Sequence, residues 1–200
     1  MINIPVLLIL FRFILAPVIL CLAYIKGETV TAIIVVLVYL GLISDILDGI
    51  IARKQQLSTA KLRRMDSQTD MLFWLSIGLS TWIIYPDLIT THLFQVRLIL
   101  GLEILCYIVS ILKFKKESAS HAFLSKLWGL SLLAAFTSMI GFHHAGILFY
   151  ISIAVGFIAH IDRLLITLIL PKWTHDVPSA YHAYLIRKGI VIKRNPYFNG

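Results

Sequence analysis

The chain is 200 residues long, 59% hydrophobic and only 14% charged, with a mean hydropathy of +0.89. That is too apolar for an ordinary soluble domain, which runs at about 45–50% apolar and about 25% charged, and too apolar for a disordered chain. The formal charge of +8 raises the question of nucleic acid, which the placement of the charges answers below; the two cysteines, Cys21 and Cys106, sit in apolar runs and exclude a disulfide framework or a zinc site.

Crossing a bilayer as a helix takes about 20 mostly apolar residues. Six stretches qualify in chain order: roughly Ile4–Ile25, Val30–Ile51, Met71–Tyr85, Leu93–Leu112, Phe123–Phe142 and Ile147–Leu170. The third reaches full length only if the polar turns from Leu62 to Asp70 belong to the same helix. Gly27, Pro86-Asp87, Gly146 and Pro171 mark the ends of spans. The first run is longer than the apolar core of a cleavable signal and reads as a retained span. These features predict an all-α integral membrane protein of six transmembrane helices over residues 1–170, followed by a basic cytoplasmic tail, 171–200, lying on the membrane with no chemistry of its own.

The basic residues set the orientation. Arg53, Lys54, Lys61, Arg63 and Arg64 lie between spans two and three, and Lys113, Lys115, Lys116 and Lys126 lie around the loop between four and five. Lys172, Arg187, Lys188, Lys193 and Arg194 follow span six. Fourteen of the 18 Lys and Arg therefore fall on one side, and the opposite loops hold only Lys26. The positive-inside rule makes that side and both termini cytoplasmic. Topology and contact with anionic lipid account for the charge, and no nucleic-acid partner is expected.

Ionisable residues at membrane depth are costly and mark function. Asp45 and Asp48, spaced i,i+3, end the second span; Asp66 and Asp70, spaced i,i+4, open the third. Each pair lies on one helix face, and two antiparallel helices joined by a short basic loop present all four carboxylates at similar depth. Left without cations they would repel strongly. An all-carboxylate set suits a hard divalent ion, Mg²⁺, Mn²⁺ or Ca²⁺, and four carboxylates suffice for two ions.

The segment Asp45-Ile-Leu-Asp48-Gly49-Ile-Ile-Ala52-Arg53, continued by Leu62, Asp66 and Asp70, resembles the signature of the CDP-alcohol phosphotransferases, D-x2-D-G-x2-A-R-x8-G-x3-D-x3-D. Every fixed position matches at the right spacing except Leu62, where the family has glycine. The resemblance implies a six-helix bundle that forms a homodimer, in the cell (inner) membrane with its active site facing the cytoplasm. It implies a phospholipid-synthesis enzyme that transfers a substituted phosphoryl group from a CDP-linked donor such as CDP-diacylglycerol to an alcohol, releasing CMP. By the family pattern Asp45, Asp48 and Asp66 bind two Mg²⁺ or Mn²⁺ ions, with Ca²⁺ an inhibitor or substitute. Asp70 is a further ligand or the catalytic base, Gly49 and Ala52 let the nucleotide approach the helix, and Arg53 meets phosphate. The opening Ile4-Pro5 to Arg12 is similar to phosphatidylglycerophosphate synthases, with Ile9 where those carry threonine.

Arg12, His160 and Arg163 fall at the depth of the aspartates and are candidates to bind an anionic acceptor; an Asp162–Arg163 or interhelical ion pair for Arg163 and snorkelling for Arg12 are the alternatives. Glu103 is expected to pair between helices. A divalent-cation transporter is the rival function, but transport sites favour the bilayer midplane, whereas these carboxylates sit at the cytoplasmic edge.

Overall fold

The computed structural model describes residues 4–55, 57, 59–116 and 122–191, and among them every regular element is helical. α1 spans Ile4–Lys26, and a 3-10 turn, Gly27–Val30, leads into α2, Thr31–Lys54. Gly27 adopts φ +56°, the left-handed conformation that ends a helix cheaply only without a Cβ. α3 runs Ala60–Ile84, its start capped by the Thr59 hydroxyl, which accepts from the Leu62 N–H at 3.2 Å. α3 is thus a single helix that takes in the polar turns around Asp66 and Asp70. α4, Pro86–Thr91, opens on a proline preset for the first helical position. α5, Leu93–Phe114, α6, Phe123–Phe142, α7, Ile147–Ile169, and α8, Ala180–Arg187, complete the order.

Among the described residues, four stretches are long and apolar enough to cross a membrane: Ile4–Lys54, which holds both α1 and α2, then α5, α6 and α7. α3 is equally long but carries Lys61, Arg63, Arg64, Asp66 and Asp70 in its first three turns, so composition alone does not make it a span. Tyr24, Phe94, Leu112 and Ile147 are at least three-quarters exposed, part of an apolar exterior far larger than a water-soluble monomer presents. That surface belongs against lipid.

α1 packs on α2 and α3, α6 joins α2 and α3 to α7, and α5 and α8 each pack on α7. The main core gathers Leu15, Ile19 and Ala23 of α1, Ile34 and Val38 of α2, Phe73, Ile77 and Ile84 of α3, and Ile140 of α6. One close approach is special. A Cβ on Gly41 would lie 2.1 Å from Cζ of the Phe73 ring, which is 1% exposed. Gly41→Ala is expected to lower stability by about 1–3 kcal/mol, the range for overpacking a filled core, read as a lower melting temperature in detergent.

The polypeptide after α7 packs on the bundle. Val177 and Ala183 are fully buried with Ala122, Ile166 and Leu170, so the described part of residues 171–200 is docked on the bundle. Apolar side chains at these two positions drive that docking, although the segment as a whole is polar. Lys193, Arg194, Tyr197 and Phe198 lie outside the described residues.

Candidate active site

The last turns of α2 and the first turns of α3 bring the four motif aspartates together, and α1 inserts one cation among them. Arg12 is 1% exposed. Its Nη1 lies 2.9 Å from Asp45 and 3.1 Å from Asp48, its Nη2 2.5 Å from Asp66, and its Nε 2.8 Å from Asp70. Ligand atoms of Asp45, Asp48 and Asp66 all fall within 4.8 Å of one another, with Asp70 outside that trio. Asp48 and Asp66 are buried, whereas the side chains of Asp45 and Asp70 are about one-third exposed, at 33% and 31%. The pairs therefore differ in depth, with one inner and one outer carboxylate from each helix.

A guanidinium has five donors in one plane and cannot align them on four carboxylates converging from two helices. Only the Nη2–H to Asp66 Oδ1 contact has hydrogen-bond geometry; Nε and Nη1 approach their carboxylates without it, and Asp48 Oδ2 is buried with no hydrogen-bond partner. A buried carboxylate oxygen left in this condition is expensive. Four carboxylates against Arg12 and, at Asp66 alone, Arg63 leave an excess of negative charge; with the cluster of hard oxygen donors and the orphaned inner oxygen this fits the binding of divalent cations at Asp45, Asp48 and Asp66.

The nucleotide residues of the motif are placed differently from each other. Arg53 folds back one turn over Gly49, so that a Cβ there would meet its Nη1 at 3.3 Å. Ala52 does not line an open groove: it is 2% exposed, covered by Leu62 and Ile9 with Val6 at the margin. The two positions that depart from the related patterns, Ile9 and Leu62, thus fill one apolar cluster against Ala52. Removing the leucine opens that cluster. Leu62→Gly is expected to lower stability by about 2–5 kcal/mol, the range for truncating a buried leucine, while KM for a CDP-linked donor stays equal or falls. Melting temperature and donor KM, measured together, check both halves.

The acceptor candidates are redistributed. Arg12 neither snorkels nor faces a separate cavity, because the four aspartates hold it. His160 and Arg163 do not join the aspartate cluster: Glu103 of α5 takes both, with His160 Nε2 at 3.0 Å from Glu103 Oε2 and Arg163 Nη2 donating to the same oxygen. His160 Nδ1 lies 2.6 Å from the Gly156 carbonyl. Arg163 is therefore an interhelical ion-pair residue, as is Glu103, and the physical reason is that α7 packs on α5 at this level. Asp162 accepts from the Ala180 N–H at 2.9 Å and so starts α8.

Sequence reasoning did not reach Arg63 or Asp176 as part of the site. Arg63, 3% exposed, sits between Asp66, at 3.9 Å, and Asp176, at 3.3 Å. The available signal was slight: Asp176 is the one acid after Leu170 in an otherwise basic segment.

A bundle of long apolar helices in which four motif carboxylates from α2 and α3 converge on one point belongs to the class of membrane-embedded transferases. Residues 2–158 match the CDP-alcohol phosphatidyltransferase family, and the chain belongs to it. No curated protein and no solved structure matches the chain.

Proposed function

We propose that the protein transfers a substituted phosphoryl group from CDP-diacylglycerol, or another CDP-linked donor, to an alcohol and releases CMP. The observation that carries this reading is the convergence of all four motif aspartates from α2 and α3 onto a single point in a chain of this family. Asp45, Asp48 and Asp66 would hold two divalent cations, Mg²⁺ or Mn²⁺, whose charge stabilises the diphosphate and the departing CMP. Asp70 stands outside the trio and is partly exposed, which suits it to take the proton from the acceptor hydroxyl. The hydroxyl oxygen then bonds to the donor phosphorus as the bond to CMP breaks, and CMP leaves with the electron pair. Arg53, folded over Gly49, would meet a phosphate oxygen.

The reading extends to the setting. All six long helices, α3 included, cross the cell membrane, with the α2–α3 hairpin on the cytoplasmic side, and the protein works as a homodimer. Reporters fused within residues 54–61 would then read cytoplasmic and one near Thr91 external. The functional test is direct: purified protein is incubated with CDP-diacylglycerol, Mn²⁺ or Mg²⁺ and a panel of alcohols. CMP release that requires both the metal and one alcohol supports the reading. Release from no donor, or metal uptake into sealed vesicles instead, overturns it in favour of cation transport.

A further inference from the structure

Asp176 is unused by the chemistry above. It lies at φ +56°, in the left-handed region that residues other than glycine, asparagine and aspartate seldom enter. It is 3% exposed, and its Oδ2 lies 3.3 Å from Arg63 Nε and 3.0 Å from His175 Nδ1. Backbone in such a region persists where the surroundings over-determine it, and it clusters at functional sites. Here three anchors hold it. Val177 is fully buried, the Phe123 N–H donates to the Pro178 carbonyl at 3.0 Å, and the Ala180 N–H donates to Asp162. A segment that only covered the bundle would not need a buried charge at its centre, because burying one is costly unless it is paired.

Arg63 is the partner, and its position gives the pair a consequence. It sits in the first turn of α3, in reach of Asp66 on one side and Asp176 on the other. A planar guanidinium held between two carboxylates is fixed in direction as well as place. Arg53 of α2 and Lys126 of α6 act electrostatically on the same pair, and Asp45, Asp48 and Asp66 lie within range of one or the other. The positive charge on this flank of the carboxylates is therefore organised from three bundle helices and from the polypeptide after α7.

We propose that Asp176 is a positioning residue, which fixes Arg63 against Asp66 so that its guanidinium meets a substrate phosphate, and that the segment after α7 is part of the catalytic unit. The inference rests on the transfer reading above. The phosphate belongs either to the CDP-linked donor or to a phosphorylated alcohol, and separate KM measurements for the two substrates distinguish the sources.

The test measures CMP release by the full chain in detergent with Mn²⁺, CDP-diacylglycerol and the alcohol that supports turnover. Asp176→Asn keeps the shape and removes the charge; kcat/KM is expected to fall at least 30-fold, with Asp176→Glu recovering at least fivefold over it. Because Asp176 acts through Arg63, the Arg63→Ala/Asp176→Asn double variant should fall within threefold of Arg63→Ala alone. Ile140→Ala is the control for lost stability, since Ile140 is fully buried in the main core shared by α1, α2, α3 and α6, a cluster that includes none of the aspartates, Arg63 or Asp176. It should lower the melting temperature yet keep kcat/KM within threefold below that temperature. Asp176→Asn within threefold of the parent, losses that multiply in the double variant, or a parallel loss in Ile140→Ala would each overturn the proposal. If the parent chain releases CMP normally, only this inference then falls; if it releases none from any donor, the transfer reading falls with it.

Discussion

Arg12→Ala will leave four carboxylates facing one another without the guanidinium that joins them, and Arg63, 3.9 Å from Asp66, reaches only one of them among the contacts described. Asp48 and Asp66 are buried, so water cannot take over the role of the guanidinium. Removing one partner from a buried ionic cluster costs about 3–5 kcal/mol, and four carboxylates lose their contact with Arg12 here at once, so the upper end applies. The measurement is thermal unfolding of the metal-free variant in detergent. Added Mn²⁺ should raise its melting temperature more than it raises that of the parent, because the ion restores the missing positive charge and no longer competes with Arg12 for the same oxygens. Arg12→Lys keeps one charge but cannot reach α2 and α3 together, and it should fall between the two. Equal melting temperatures for the parent and Arg12→Ala would contradict the cluster as described.

Asp70→Asn should abolish nearly all turnover while retaining much of the metal affinity, whereas Asp66→Asn should weaken both. The difference follows from placement. Asp66 is buried, belongs to the trio within 4.8 Å, and takes the one aligned hydrogen bond from Arg12. Neutralising it would remove a proposed metal ligand and loosen Arg12, the residue that joins α1 to the cluster. Asp70 is outside the trio and 31% exposed along its side chain, where an incoming hydroxyl can reach it. Loss of a general base reduces rate by about 10²–10⁴-fold. Mn²⁺ affinity and CMP release, measured side by side in the two variants, separate these roles; full activity in either would refute the assignment.

The contrast between Asp70 and Arg163 shows where a one-dimensional reading stops. The aspartates are i,i+3 and i,i+4 pairs on two helices joined by a short loop, so helix geometry alone brings them to one place. Arg163 was placed by its depth along α7, which says how far a residue lies from the membrane edge but not which neighbour it faces. Glu103, on a helix 60 residues earlier in the chain, decided that. Arg12 is the same case with the opposite outcome: depth put it level with the aspartates, and the packing of α1 on both α2 and α3 put it among them.

The pair Ile9 and Leu62 extends the point to the nucleotide side of the site. Each is a single departure from a related pattern and unremarkable alone. Their contact over Ala52 makes them one packing solution, visible only once α1 lies against the start of α3. The docked segment after α7 follows the same logic, since Val177 and Ala183 lie in a mostly polar stretch and their burial depends on a surface made by Phe114 of α5, Ala122 just before α6, and Ile166 and Ile169 of α7.

By itself, the amino-acid sequence determined the helical membrane class and the sites of the turns, because hydropathy over about 20 residues and helix-stop chemistry are local properties. It also determined the aspartate motif and the hairpin that carries it, because spacing along two adjacent helices is local as well. Only the tertiary structure decided which cation stands among the aspartates, that Glu103 holds Arg163, and that Asp176 reaches Arg63. Those contacts join residues 33 to 113 positions apart, and a charge acts through space on whatever the packing brings within a few ångströms.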